Sequence, residues 1–148
     1  MLQSEHMNPG LREKLHALEA RRAEIDAIAM TLSSEHITVI PEKDSELGGF
    51  GYRATFSFQP SDTSVTIGFR LYDHQSGADL VITNTTTLPE NQQGKGYGKE
   101  AVHELVVWAR GKGLQNITAT QVQEESRGFW EKLGFAPKQG SPTKDFIL

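Results

Sequence analysis

Gln93-Gly94-Lys95-Gly96-Tyr97-Gly98 is the stretch on which the reading of this 148-residue chain turns. Glycines let the main chain turn tightly and let a ligand come within van der Waals contact of it. The run that follows, with Ala101, Val102, Leu105, Val106 and Ala109 at helical spacing, places the turn at the start of a helix. Unpaired N–H groups and the helix dipole favour an anion there. Lys95 and Lys99 add positive charge at the same end. The stretch therefore reads as a phosphate or pyrophosphate site, or, on its glycines alone, as a turn and helix cap. A P-loop is disfavoured because no Lys followed by Ser or Thr opens the helix. A dinucleotide fingerprint is disfavoured because Ile117 to Thr120, the next strand, ends without an acidic residue.

Upstream of the turn the pattern is that of a β-meander. Phe50, Tyr52, Ala54, Phe56 and Phe58 alternate with small or polar residues, as do Val65, Ile67, Phe69 and Leu71 beyond the Pro60-Ser61-Asp62 turn. Ser76-Gly77 turns the chain again into a β-branched strand over Leu80 to Leu88. Downstream, Ile117 to Val122 reads as a strand and Ser126 to Leu133 as a short helix stopped by Gly134. Phe135 and Asp145 to Leu148 read as a final strand pair. Before the meander, Asn8 caps and Pro9 opens a long helix, followed by a strand at Ile37 to Ile40. Leu11, Leu15, Leu18, Ile25, Ala29 and Leu32 form its apolar stripe, widened by Ile28 and interrupted by Arg22. The stripe packs on the domain's own sheet or forms a homodimer seam. The class is α/β (α+β), a mixed sheet flanked by helices, expected as one domain over 1–148. A helical segment spans 1–35 and a sheet core spans 37–148.

Composition narrows the function. A net charge of −4 and a pI near 5.7, with no basic patch, argue against a nucleic-acid partner. No apolar run is long enough to cross a bilayer, and Met1 to Gly10 lacks the basic-then-apolar order of a signal peptide. A cytoplasmic protein without a membrane partner is expected. The chain has no cysteine, which excludes disulfides, thiolate metal sites and an acyl-cysteine intermediate. His6, His16, His36, His74 and His103 are scattered, so no metal site is expected. There is no Gly-x-Ser-x-Gly elbow.

Two motifs in order carry a family resemblance. The Gln93–Gly98 turn resembles the Gln/Arg-x-x-Gly-x-Gly/Ala motif of the GNAT N-acetyltransferases. Ser126-Arg127-Gly128-Phe129-Trp130-Glu131-Lys132-Leu133-Gly134-Phe135 looks like that family's late helix. The resemblance, from Phe50 to the C-terminus, implies a GNAT-like, mostly antiparallel sheet with an atypical long N-terminal helix. It implies acetyl-CoA as co-substrate and direct transfer to an amine on a small molecule or protein. Amides from Gly94 to Lys99, with Lys95, Gly96, Tyr97 and Gly98 among them, would cradle the coenzyme A pyrophosphate, and Gln93 would join them in holding the coenzyme. Thr86, Thr87 and Leu88 would carry a bulge pairing with the pantetheine arm, and Gln123, Ser126 and Trp130 would line its path. Trp130 stands where many members place a proton-donating tyrosine, and Thr83 to Thr87 include no ionising group. Catalytic roles then fall to Ser126 as a proton relay and to Glu124 or Glu125 as the end of a water relay. A coenzyme-binding module without turnover is the other reading. The family's strand-first opening is missing, and the Glu42–Gly49 loop is expected to replace that wall of the acceptor pocket.

Overall fold

The computed structural model describes residues 8–42, 49–141 and 144–148. Helix α1 (Pro9–Met30) leads into β1 (Ile37–Glu42), β2 (Phe50–Phe58), β3 (Thr63–His74) and β4 (Gly77–Leu88). Then come α2 (Tyr97–Gly111), β5 (Ile117–Ala119), α3 (Arg127–Lys132), β6 (Ala136–Pro137) and β7 (Phe146–Ile147). The strands form one sheet in the order β1-β2-β3-β4-β5-β7-β6. Among the described residues only the β4–β5 pair is parallel.

The period-two alternation sorts the two faces of the sheet. Tyr52, Ala54 and Phe56 stand opposite Phe69, Ile67 and Val65, and Phe69 and Leu71 stand opposite Ile82 and Leu80. All of these are fully buried, and α1 and α2 cover them. Phe69 lies 6.1 Å from the Trp108 ring of α2, and Trp108 Nε1 donates to Thr31 Oγ1 at the end of α1 at 2.9 Å. The opposite face is polar. Thr38, Thr55, Thr66 and Thr86 form one continuous row across β1 to β4. One apolar face and one polar face is the pattern antiparallel sheets use when a single side meets the core.

Asn8 caps α1 through a 2.7 Å hydrogen bond from Leu11 N–H, as its sequence position implies. The apolar stripe divides, however. Ile25, Ala29 and the following Leu32 are buried, whereas Leu11 and Leu18 are 47% and 57% exposed. Arg21 pairs with Asp73 near the end of β3, so the helix passes the end of the sheet at this turn and its earlier turns overhang. Arg22, the interruption in the stripe, ion-pairs with Asp26 at 3.2 Å and lies 5.1 Å over the Phe50 ring. A cation thus seals the seam where an apolar residue was due.

Asp26 also accepts a 2.6 Å hydrogen bond from the buried Tyr52 hydroxyl. Burial first, and then this hydrogen bond, push the Tyr52 phenol well above its ordinary range. The fold therefore retains a proton that the unfolded chain releases above about pH 10. Its contribution to stability is whole below that pH and falls as pH rises further. Tyr52→Phe is expected to cost about 1–2 kcal/mol at neutral pH and to flatten the alkaline decline, read by urea unfolding across pH. An equally steep decline in the variant would place its origin elsewhere.

Beyond Ala119 the chain leaves β4, three residues earlier than the pattern of Ile117 to Val122 implies. Thr120 still donates its N–H to Ile82 C=O, but Gln121 then takes a φ of 53°. Asp145 Oδ1 holds the bend, accepting from Thr120 Oγ1 at 2.8 Å and from Gln121 N–H at 3.3 Å. From Thr83 onward β4 has no β5 rung beside it, and the splay between the two strands is the entrance to the site. A 3-10 turn, Glu124–Ser126, precedes α3.

Candidate functional site

A cavity of about 610 Å³ fills this splay between β4, the start of α2 and α3. Thr85 and Thr87 line one wall. They stand opposite Ile67 and Val65, on the covered face of the sheet. Thr86 falls in the threonine row of the other face, and Leu88 is half exposed; neither side chain lines the cavity. The bulge expected at Thr86 to Leu88 lies earlier. These residues keep regular register with Thr66 to Ser64, whereas pairing shifts between Gly68 and Phe69, leaving Thr83 as the extra residue. Gly68 accommodates the shift, since a Cβ there would come within 2.9 Å of Thr83 Oγ1.

Gln93, Gly94, Gly96, Gly98 and Lys99 line the mouth. Gln93 Nε2 donates to Thr87 C=O at 3.3 Å and so ties the turn to β4. Gly94 and Gly96 have φ of 79° and 93°, which favour glycine, and a Cβ on either would meet no protein atom within 4 Å. Their demand is conformational, and open space lies above them. Gly98 differs: its Cβ would sit 3.5 Å from Phe129 Cε1 and 3.6 Å from Thr87 Oγ1, across the neck of the cavity. The first helical bond runs from Glu100 N–H to Gly96 C=O at 3.0 Å, so the amides of Tyr97, Gly98 and Lys99 have no acceptor inside α2. Lys95 does not line the cavity, and the Tyr97 ring packs 5.2 Å from Phe58.

Glu125, Ser126, Phe129 and Lys132 form the far wall. Gln123 and Glu124, expected beside Ser126, line a separate depression of about 300 Å³ with Arg127, Lys138 and Asp145. Successive residues of a 3-10 turn point about 120° apart, so Glu124 and Glu125 are carried to different sides. Trp130 does not line the cavity. It is 8% exposed and packs edge-on against Phe129 at 5.0 Å and Phe135 at 5.1 Å. The sequence reading omitted Thr85, Phe129 and Lys132. Their signals were the strand period shared with Thr87 and the three-residue spacing from Ser126.

The cavity mouth therefore combines unpaired amides, a helix N-terminus and the Lys99 and Lys132 cations, a donor set suited to a diphosphate. A second depression of about 430 Å³ continues from it, sharing Gly96, Lys99 and Lys132 and adding His103. Among the described residues no cluster of acidic and histidine side chains could hold a metal ion, and no helix is long and apolar enough to cross a membrane.

Residues 66–135 match the acetyltransferase (GNAT) family. The solved structure of AtaTR bound with acetyl-CoA aligns over 78% of this chain and 94% of that chain, at 13% identity and a TM-score of 0.50. Arabidopsis thaliana Naa50, in complex with the bisubstrate analogue CoA-Ac-MVNAL, aligns over 76% and 95%, at 15% identity and a TM-score of 0.49. No curated protein shows a sequence match to the chain.

Proposed function

Because residues 66–135 match the acetyltransferase (GNAT) family, we propose that the chain transfers an acetyl group from acetyl-CoA directly to an amine. The observation that carries this reading is the cavity in the β4–β5 splay, with glycine-lined open space and unpaired amides at its mouth. These features fit coenzyme A. The Tyr97 to Lys99 amides and Lys99 would hold the pyrophosphate, open space above Gly94 and Gly96 would admit it, and Thr85 and Thr87 would border the arm. When bound, the coenzyme supplies an activated acyl thioester.

The chain's own residues position and move protons. Ser126 faces the cavity and is suited to relay a proton toward sulfur. Glu125, on the same wall, is the carboxylate suited to take the amine's proton through water. Glu124 no longer shares that role, because it opens into the other depression. With no cysteine in the chain, transfer proceeds without an acyl-cysteine intermediate. The acceptor is an amine on a small molecule or a protein.

One observation favours a second reading, a coenzyme-binding module without turnover: Trp130, at the position of the family's tyrosine, is packed between two phenylalanines. Incubation with acetyl-CoA and a panel of amines and peptides, following thiol release, separates the two. Thiol release that depends on one amine class and falls in Glu125→Gln is the expected result. Thermal stabilisation by acetyl-CoA without release on any acceptor would support the binding module.

A further inference from the structure

Resting on the coenzyme A reading above, we propose that the Thr85 hydroxyl hydrogen-bonds the thioester sulfur and stabilises the thiolate as it departs. Thr85 Oγ1 is buried and has no hydrogen-bond partner among the described residues. Folded proteins rarely leave a buried hydroxyl unpaired, and one that is unpaired calls for an explanation, a catalytic role among them. Thr85 is also one of the residues that line the cavity, although Oγ1 itself is turned away from open space. A rotation about χ1, which exchanges the positions of Oγ1 and Cγ2, is required to bring the hydroxyl out to a bound ligand.

Its place along β4 identifies what it would meet. An extended arm anchored at the Tyr97 to Lys99 amides and running down the open edge of β4 passes Thr87 first and Thr85 next. Beyond Thr85 come the Thr83 bulge and the rung that closes the splay, Ile82 beside Ala119 with Thr120 N–H donating to Ile82 C=O at 3.0 Å. Thr85 is the last β4 residue on the cavity, so the end of the arm lies beside it. That end carries the sulfur. Trp130 is not available as a donor there, being packed against Phe129 and Phe135.

In the transfer, a bond forms between the amine nitrogen and the acyl carbon. The carbon–sulfur bond breaks, and its electron pair goes to sulfur. Thr85 donates a hydrogen bond to that charge, and the proton that Glu125 takes from the nitrogen through water reaches sulfur by way of Ser126. Thr85 itself is unchanged at the end.

The test does not need the acceptor. Titration calorimetry compares coenzyme A with desulfo-coenzyme A, at about pH 7 and about pH 9, on either side of an ordinary thiol pKa. The wild type is expected to gain about tenfold in preference for coenzyme A at the higher pH, the size of a hydrogen bond to a charged group. Thr85→Ser should keep this gain. Thr85→Val should lose it, bind desulfo-coenzyme A like the wild type, and unfold without ligand at the same or a higher temperature. A gain that survives in Thr85→Val, or equal weakening of both ligands, overturns the proposal. So does a gain lost in Ser126→Ala and kept in Thr85→Val, which would put the sulfur against the opposite wall. Failure of the wild type to bind either compound overturns the coenzyme reading itself.

Discussion

Gly98→Leu is expected to weaken acetyl-CoA binding by about a hundredfold while leaving the protein folded. The Gly98 backbone does not have the positive φ of Gly94 and Gly96, so a side chain there brings no main-chain strain. Its Cβ would make ordinary contact with Phe129 and Thr87, and Gly98→Ala should therefore bind almost as the wild type does. Leucine adds three carbons in the narrow space between those two residues, where the arm of the coenzyme would pass. The helix gains in the exchange, since glycine is less favourable than ordinary residues by up to about 1 kcal/mol in a helix. Calorimetric titration together with thermal unfolding checks both halves. Unchanged affinity in a folded Gly98→Leu variant would show that the neck is not the binding route. Gly96 is a poorer place for this test: at a φ of 93° any side chain is strained, and lost binding there could reflect a distorted turn.

The second large effect is on stability. Trp130 is 8% exposed and wedged between Phe129 and Phe135. Trp130→Ala should cost about 3–5 kcal/mol, much of the 5–15 kcal/mol that holds an ordinary domain together. Because Phe129 is itself cavity wall, coenzyme affinity should fall with it. Trp130→Tyr restores the family's phenol in sequence but not its place at the cavity, so no rise in thiol release is expected. Denaturant unfolding and thiol release measure the two outcomes. A rate increase in Trp130→Tyr would mean that this side chain reaches the reacting sulfur.

The elements most legible in the sequence were those built on strong periodicity. The alternation from Phe50 to Leu71 gave both strands of the hairpin, and Asn8-Pro9 gave the start of α1. The glycine turn was legible because positive φ leaves few alternatives to glycine at Gly94 and Gly96. Less legible were features set by contacts between distant segments. Ile117 to Val122 has the composition of one strand, but Asp145, far along the chain, bends it at Gln121. The bulge at Thr83 depends on Gly68 across the ladder, not on the threonines around it. In the site, the family resemblance named residues one after another, whereas the cavity selects them by direction. Ser126 and Glu125 therefore face it, while Glu124 and Gln123 do not. The loop expected to wall the acceptor pocket, Glu42–Gly49, falls largely on residues 43–48, outside the described residues.

The central claim is that the turn ahead of α2 binds the coenzyme through its main chain. Titrating ¹⁵N-labelled protein with acetyl-CoA and following the amide resonances tests it most directly. The amides of Gly94, Gly96, Gly98 and Lys99 should show the largest shifts, with Thr85 and Thr87 next along β4. Saturable binding that leaves these amides unmoved, or no binding at all, would contradict it.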